Sequence, residues 1–136
     1  MLKPALLNSA IVPSACLAVA LLAKPALANP ALECGEGSQE EIGSCVADDE
    51  EGVEAALFNA LEAAMIAAAE RDNTNGGTAI EAALMQSQTA WEAFRVAHCA
   101  FAGEAHNVRE DAGIATRACW TTLGRARVEE LVRFSR

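Results

Sequence analysis

The sequence contains no tyrosine, and its aromatic residues are two tryptophans and four phenylalanines among 136 positions. Residues with β-branched side chains are also few, and apolar and polar positions do not alternate over any sustained stretch. Because strands favour aromatic and β-branched residues with a period of two, a sheet is not expected. Alanine-rich segments with apolar residues three and four positions apart are typical of helices. We therefore predict an all-α fold, a small bundle of helices joined by disulfides.

Lysine is almost absent, and both lysines lie in the first 28 residues. This segment combines a positive start, an apolar run and the small residues Ala26-Leu27-Ala28, which is typical of a secretory signal peptide. Two alternatives stay open: a membrane anchor that is not cleaved, and lipidation of Cys16, although a proline stands three positions before it. We expect residues 1–28 to be a signal peptide and residues 29–136 to form a single domain.

Basic residues are scarce after that segment, where eight arginines face nineteen acidic residues, a net charge of −11. The excess lies wholly in residues 29–72, whereas residues 73–136 are balanced. Such a protein is suited to basic partners and is not expected to bind nucleic acid or, after cleavage, a membrane. The plainer interpretation is a solvated helix face. The candidate partner-binding residues, named here the acidic cluster, are Asp48, Asp49, Glu50, Glu51 and Glu54.

Four cysteines follow the signal segment, at Cys34, Cys45, Cys99 and Cys119. An even number in a small exported domain indicates disulfides, and four cysteines allow three pairings. We favour Cys34–Cys45 and Cys99–Cys119, because the members of each pair are close in sequence and flank a helix start or a helix junction. Since no Cys-x-x-Cys occurs and the spacings do not suit zinc, neither a metal nor a cofactor is expected.

Capping-box patterns mark the starts of two helices, Ser38-x-x-Glu41 and Thr78-x-x-Glu81. A polar loop with two glycines separates these helices. Gly52, after four consecutive carboxylates, suggests a kink or break near the start of the first helix. The three main helices are expected at about 39–71, 79–101 and 112–134, after an N-terminal arm.

The second helix carries a stripe whose steps alternate between four and three residues, as on one face of a helix. We predict that this stripe faces the core, with Trp91 and Phe94 as its anchors. Arg95 is interpreted as covering Trp91 and pairing with Glu92 or a carbonyl of the last turn. His98 is expected to be partly buried and hydrogen-bonded. The stripe comprises Ile80, Leu84, Ser87, Trp91, Phe94, His98 and Phe101.

The stretch Gln88-x-x-Trp91-x-x-Phe94-Arg95-x-x-x-Cys99 resembles the central motif of the LprI-type lysozyme-inhibitor family of bacterial envelope proteins. The two upstream cysteines, and Arg127-x-x-x-Leu131 after Cys119, are also similar to that family. The resemblance runs from about residue 33 to residue 134, which is nearly all of the expected mature chain.

This resemblance implies a periplasmic or secreted protein that binds a basic lysozyme and inhibits it. No enzyme is predicted, because adjacent residues such as His98 and Cys99 point about 100° apart on a helix and cannot act as a pair. No carboxylate is marked as buried, as acid–base catalysis would need. The alternative function is an envelope adaptor, or a helical module for a small ligand, that inhibits nothing.

Overall fold

The computed structural model describes residues 29–106 and 109–136, which form four α-helices and no strand. The all-α prediction is confirmed, and the three long helices begin and end within four residues of their predicted bounds. The predicted signal peptide lies outside the described residues. The helices are α1 (Pro30–Glu33), α2 (Gln39–Asn75), α3 (Ala79–Glu104) and α4 (Arg109–Ser135).

Helix α2 begins at the predicted capping box. The Glu41 amide donates to the Ser38 hydroxyl at 3.3 Å, and the Ser38 amide donates to the Glu41 carboxylate at 2.8 Å. The Ser38 hydroxyl also donates to this carboxylate, at 2.9 Å, and the two hydrogen bonds that the carboxylate accepts from the Ser38 amide and hydroxyl lower the pKa of Glu41 below its ordinary value of 4.5. The helix then continues through Gly52, so the predicted break is wrong. An exposed glycine costs a helix only about 1 kcal/mol, which the tertiary contacts of this long helix offset.

The turn between α2 and α3 is built on Gly76 and Asp72. Gly76 has a φ of +70°, a left-handed conformation that ends α2 and that glycine adopts without strain. The buried Asp72 carboxylate accepts hydrogen bonds from the amides of Ile80 (3.0 Å) and Glu81 (2.9 Å), the first free amides of α3. The Thr78 side chain makes no capping hydrogen bond. The predicted Thr78 capping box is therefore wrong, because the end of α2 caps α3 instead.

Helix α4 lies at the centre of the bundle and packs against α1, α2 and α3. At its midpoint Gly124 allows close approach, since a β-carbon there would overlap the Val53 side chain and lie 2.9 Å from the Arg95 guanidinium. The core cluster combines Leu131 of α4 with Leu57, Ala60 and Ala64 of α2. The side chains packed against this cluster are Leu61, Leu84, Trp91, Val128, Val132 and Phe134.

Two disulfides join these helices, and both have the pairing favoured from the sequence. Cys34–Cys45 attaches the N-terminal arm to the first turns of α2. Cys99–Cys119 joins α3 to α4, with Cys99 fully buried. Each bond restricts the unfolded chain and is expected to contribute about 2–4 kcal/mol to stability.

Helix α3 is rotated relative to the predicted stripe. Phe94 and Phe101 are 52% and 67% exposed, and His98 is exposed, so their predicted burial is wrong. A periodicity of apolar residues cannot detect buried polar side chains, and two of these occupy the inward face. The neighbouring disulfide then fixes the rotation of the helix. The inward face comprises Leu84, Gln88, Trp91, Arg95, Cys99 and Gly103.

Candidate functional site

The motif arginine Arg95 is a structural centre and not a surface cover. Its side chain is 3% exposed, pairs with Glu54 of α2 and donates to the Trp120 carbonyl of α4 at 2.7 Å. Its guanidinium lies over the rings of Trp91 at 5.0 Å and Trp120 at 4.3 Å. The predicted pairing with Glu92 or with a carbonyl of the last turn is wrong, because the partners of Arg95 lie on α2 and α4. Arg95 thus joins all three long helices through one buried cation.

The second motif arginine, Arg127 of α4, is also buried. Its Nε donates to the Gln88 side chain at 3.1 Å, and Nη2 donates to the Ser87 hydroxyl at 3.2 Å. Nη1 pairs with Glu130 at 2.8 Å, and the guanidinium lies 5.8 Å from the centre of the Trp91 ring. The motif residues Gln88, Trp91, Arg95 and Arg127 therefore build the interior of the bundle.

Phe94 is the motif residue that lies outside this interior. It is half exposed and stacks on His98, with ring centroids 5.2 Å apart. His98 in turn lines an open cavity of about 580 Å³ that lies between the ends of α1, α2, α3 and α4. The cavity is lined mainly by apolar side chains, among them Ile42, Ala102 and Ile114. A volume of this size and character is within the range of small-molecule sites.

Three members of the acidic cluster are held by arginines of neighbouring helices. Glu54 pairs with Arg95, as described above. Glu50 pairs with Arg117 at 2.6 Å, and Asp49 lies 3.3 Å from Arg125. These three ion pairs are tertiary contacts between different helices. They attach α2 to the rest of the bundle.

The other two members, Asp48 and Glu51, point outward. Both are exposed, and neither forms an ion pair with a side chain of residues 29–106 or 111–136. The acidic cluster is therefore divided between an inner side that binds the bundle and an outer side that is free to meet a partner. A charge count along the sequence could not make this division, since it depends on which face of α2 meets α3 and α4.

Groups that could act in catalysis or hold a metal do not converge in the part of the chain that the structure describes. There, no three histidine, cysteine, aspartate or glutamate side chains come together at metal-binding distances. All four cysteines after residue 28 are in disulfides. His106 is exposed just after the end of α3.

Comparison with known proteins identifies the family to which the chain belongs. No curated protein and no solved structure matches the chain. The family model described as lysozyme inhibitor LprI matches residues 33–131, which include all four disulfide cysteines and all the motif residues. Members of this family are inhibitors, which agrees with a role other than catalysis, and they are typically envelope or secreted proteins. The chain belongs to the LprI lysozyme-inhibitor family.

Proposed function

We propose that this protein is an exported inhibitor of lysozyme-type muramidases, which docks on the enzyme by charge and covers its glycan cleft. The observation that carries the proposal is the family match over residues 33–131, because the family is named for this inhibition. The partner would be a basic protein, since the excess negative charge of the chain lies in its first half.

The structure supports an electrostatic approach. Arginines of α3 and α4 neutralise Asp49, Glu50 and Glu54, but Asp48 and Glu51 remain exposed on α2. Exposed charges of one sign accelerate the encounter with an oppositely charged partner and make its rate sensitive to salt. We therefore expect fast association that slows as salt is added.

Export is part of the proposal. The Cys34–Cys45 and Cys99–Cys119 bonds would persist in an oxidising compartment such as the periplasm. Cleavage after Ala28 would leave Asn29 as the first residue, and the Asn29 side chain caps α1 by accepting from the Ala31 amide at 3.1 Å. Mass spectrometry of the exported protein is expected to find Asn29 first, and a retained residue 1 or a lipidated Cys16 would contradict this.

A clearing assay tests the function. The protein, expressed from the full-length chain and recovered oxidised from the export compartment, is added to a c-type lysozyme that is degrading a bacterial cell-wall suspension. Clearing is expected to slow in proportion to added protein and to stop near equimolar amounts. An unrelated protein of similar size and charge controls for nonspecific binding of a basic enzyme. Equal effects from both proteins would refute specific inhibition.

The cavity supports a second candidate function, a module that binds a small apolar ligand. Its test uses the environment-sensitive dye 1-anilinonaphthalene-8-sulfonate as a probe. Saturable dye fluorescence that Ala102→Leu abolishes, without a loss of thermal stability, would favour this function, since Ala102 lines the cavity. Dye binding that Ala102→Leu leaves unchanged would argue against it.

A further inference from the structure

Helix α2 has a face that no other helix covers in the part of the chain that the structure describes. The residues of this face follow one another along the sequence at steps of three or four, so their side chains lie on one side of the helix. With a rise of 1.5 Å per residue, this side extends for about 27 Å. All six members are exposed, and we name them together the outward face of α2: Asp48, Glu51, Ala55, Phe58, Glu62 and Ile66.

The outward face carries large apolar side chains that contribute little to the core. Phe58 is 70% exposed and Ile66 is 56% exposed. By length and composition alone α2 is apolar enough to cross a membrane, yet only 22% of its most apolar 18-residue stretch is buried in the bundle. Exposed aromatic side chains surrounded by polar residues are typical of protein-binding surfaces.

The charges around these apolar side chains select the kind of partner. Three acidic residues of the outward face, Asp48, Glu51 and Glu62, accompany Phe58 and Ile66, and no lysine or arginine occurs between residues 40 and 70. An anionic membrane would be repelled by this arrangement. A basic protein with apolar surface among its positive charges would be complementary to it.

We propose that the outward face of α2 is the surface on which the basic muramidase docks, with Phe58 as its apolar anchor. This inference rests on the proposed function and adds the binding site and the contacts. Asp48, Glu51 and Glu62 steer the enzyme to the face, and Phe58 then enters an apolar recess between its positive charges. The arginine-bound carboxylates of the acidic cluster hold α2 in place and make no contact with the enzyme.

The test measures binding of the oxidised full-chain product to immobilised c-type lysozyme by surface plasmon resonance at low and moderate salt. The triple variant Asp48→Asn/Glu51→Gln/Glu62→Gln is expected to associate about fivefold more slowly, or slower still, at low salt and to lose most of its salt dependence. Phe58→Ala is expected to dissociate about five- to thirty-fold faster, as when an anchor residue is truncated. Circular dichroism confirms that each variant is folded.

Matched controls come from other helices. Phe101→Ala removes a phenylalanine that is 67% exposed on α3, and Glu129→Gln removes an exposed carboxylate of α4. Both variants are expected to bind as the parent protein does. If Phe58→Ala and Phe101→Ala behave alike while the parent binds, the outward face is not the site, although the proposed function stands. If the parent does not bind, the proposed function fails and this site falls with it.

Two further measurements separate other occupants of the face. Sedimentation velocity is expected to find a monomer, and a dimer that Phe58→Ala dissociates would assign the face to a second copy of the chain. Flotation with vesicles of anionic lipid is expected to find no binding. Vesicle binding that Phe58→Ala abolishes would assign the face to a membrane and overturn the inference.

Discussion

Replacement of Glu54 by glutamine tests whether this member of the acidic cluster holds the bundle together. The carboxylate pairs with Arg95, whose side chain is 3% exposed, whereas the Glu54 side chain is 46% exposed. Removing one partner of a fully buried ion pair costs about 3–5 kcal/mol. A pair on the surface contributes only about 0–1 kcal/mol.

The Glu54–Arg95 pair lies between these limits, because water reaches the carboxylate but not the guanidinium. After Glu54→Gln the arginine keeps the Trp120 carbonyl and two indole rings, and the new amide oxygen can still accept a hydrogen bond. We therefore expect a loss of about 1–2 kcal/mol, which corresponds to a fall in Tm of about 5–15 °C for a domain of this size. Glu54→Leu removes the acceptor as well and is expected to cost more.

Thermal denaturation followed by circular dichroism measures these losses. Asp48→Asn is the matched control, since it neutralises an exposed carboxylate and is expected to change stability by less than about 0.5 kcal/mol. A double-mutant cycle with Arg95→Met isolates the pair: once the buried cation is gone, Glu54→Gln should cost almost nothing. If Glu54→Gln and Asp48→Asn have the same small effect, Glu54 does not hold the bundle together.

Three further changes test the packing, the disulfide and the helix cap. Gly124→Ala is expected to destabilise the fold by about 1–3 kcal/mol because its β-carbon has no room, whereas Gly113→Ala, with open space around it, should be neutral or stabilising in thermal melts. Equal effects would show that helix approach does not depend on position 124. Cys99→Ser and Cys119→Ser should each lower Tm and the double variant should be no worse, since one bond is lost in all three; additive losses would contradict the pairing. Because the pKa of Glu41 is lowered in the folded protein, the ionised carboxylate stabilises the start of α2 above about pH 4.5, and this stabilisation is lost as the pH falls through the folded pKa. Backbone hydrogen exchange at the start of α2 should therefore become faster in acid. Exchange that is independent of pH, after correction for the intrinsic rate, would refute this.

The helices and the disulfides could be predicted from local signals. The Ser38 capping box, the glycine turn and the apolar spacing act within a few residues, so they are visible along the chain. Asp72 was missed as the cap of α3 because its carboxylate reaches amides eight and nine residues away, beyond any capping pattern.

The rotation of α3 could not be predicted, for a physical reason. Gln88 and Arg95 are buried although both are polar, because each finds a hydrogen-bonding partner on another helix about forty residues away. Hydrophobic periodicity assigns such polar residues to the surface. It assigns Phe94 and Phe101 to the core, although both are exposed. The division of the acidic cluster follows from the same contacts. The motif thus indicated the family, while all of its residues except Phe94 proved to lie in the interior of the bundle.

Carboxylate footprinting of the complex tests the central claim most directly, that the outward face of α2 binds a muramidase. The protein is labelled at its carboxylates with a carbodiimide and an amine, with and without saturating c-type lysozyme, and the sites are quantified by mass spectrometry. Asp48, Glu51 and Glu62 are expected to be protected by lysozyme, while Glu129, which is 66% exposed on α4, should be labelled equally in both samples. Unchanged labelling of the three α2 carboxylates in a complex that forms, or protection centred on α4, would contradict the account.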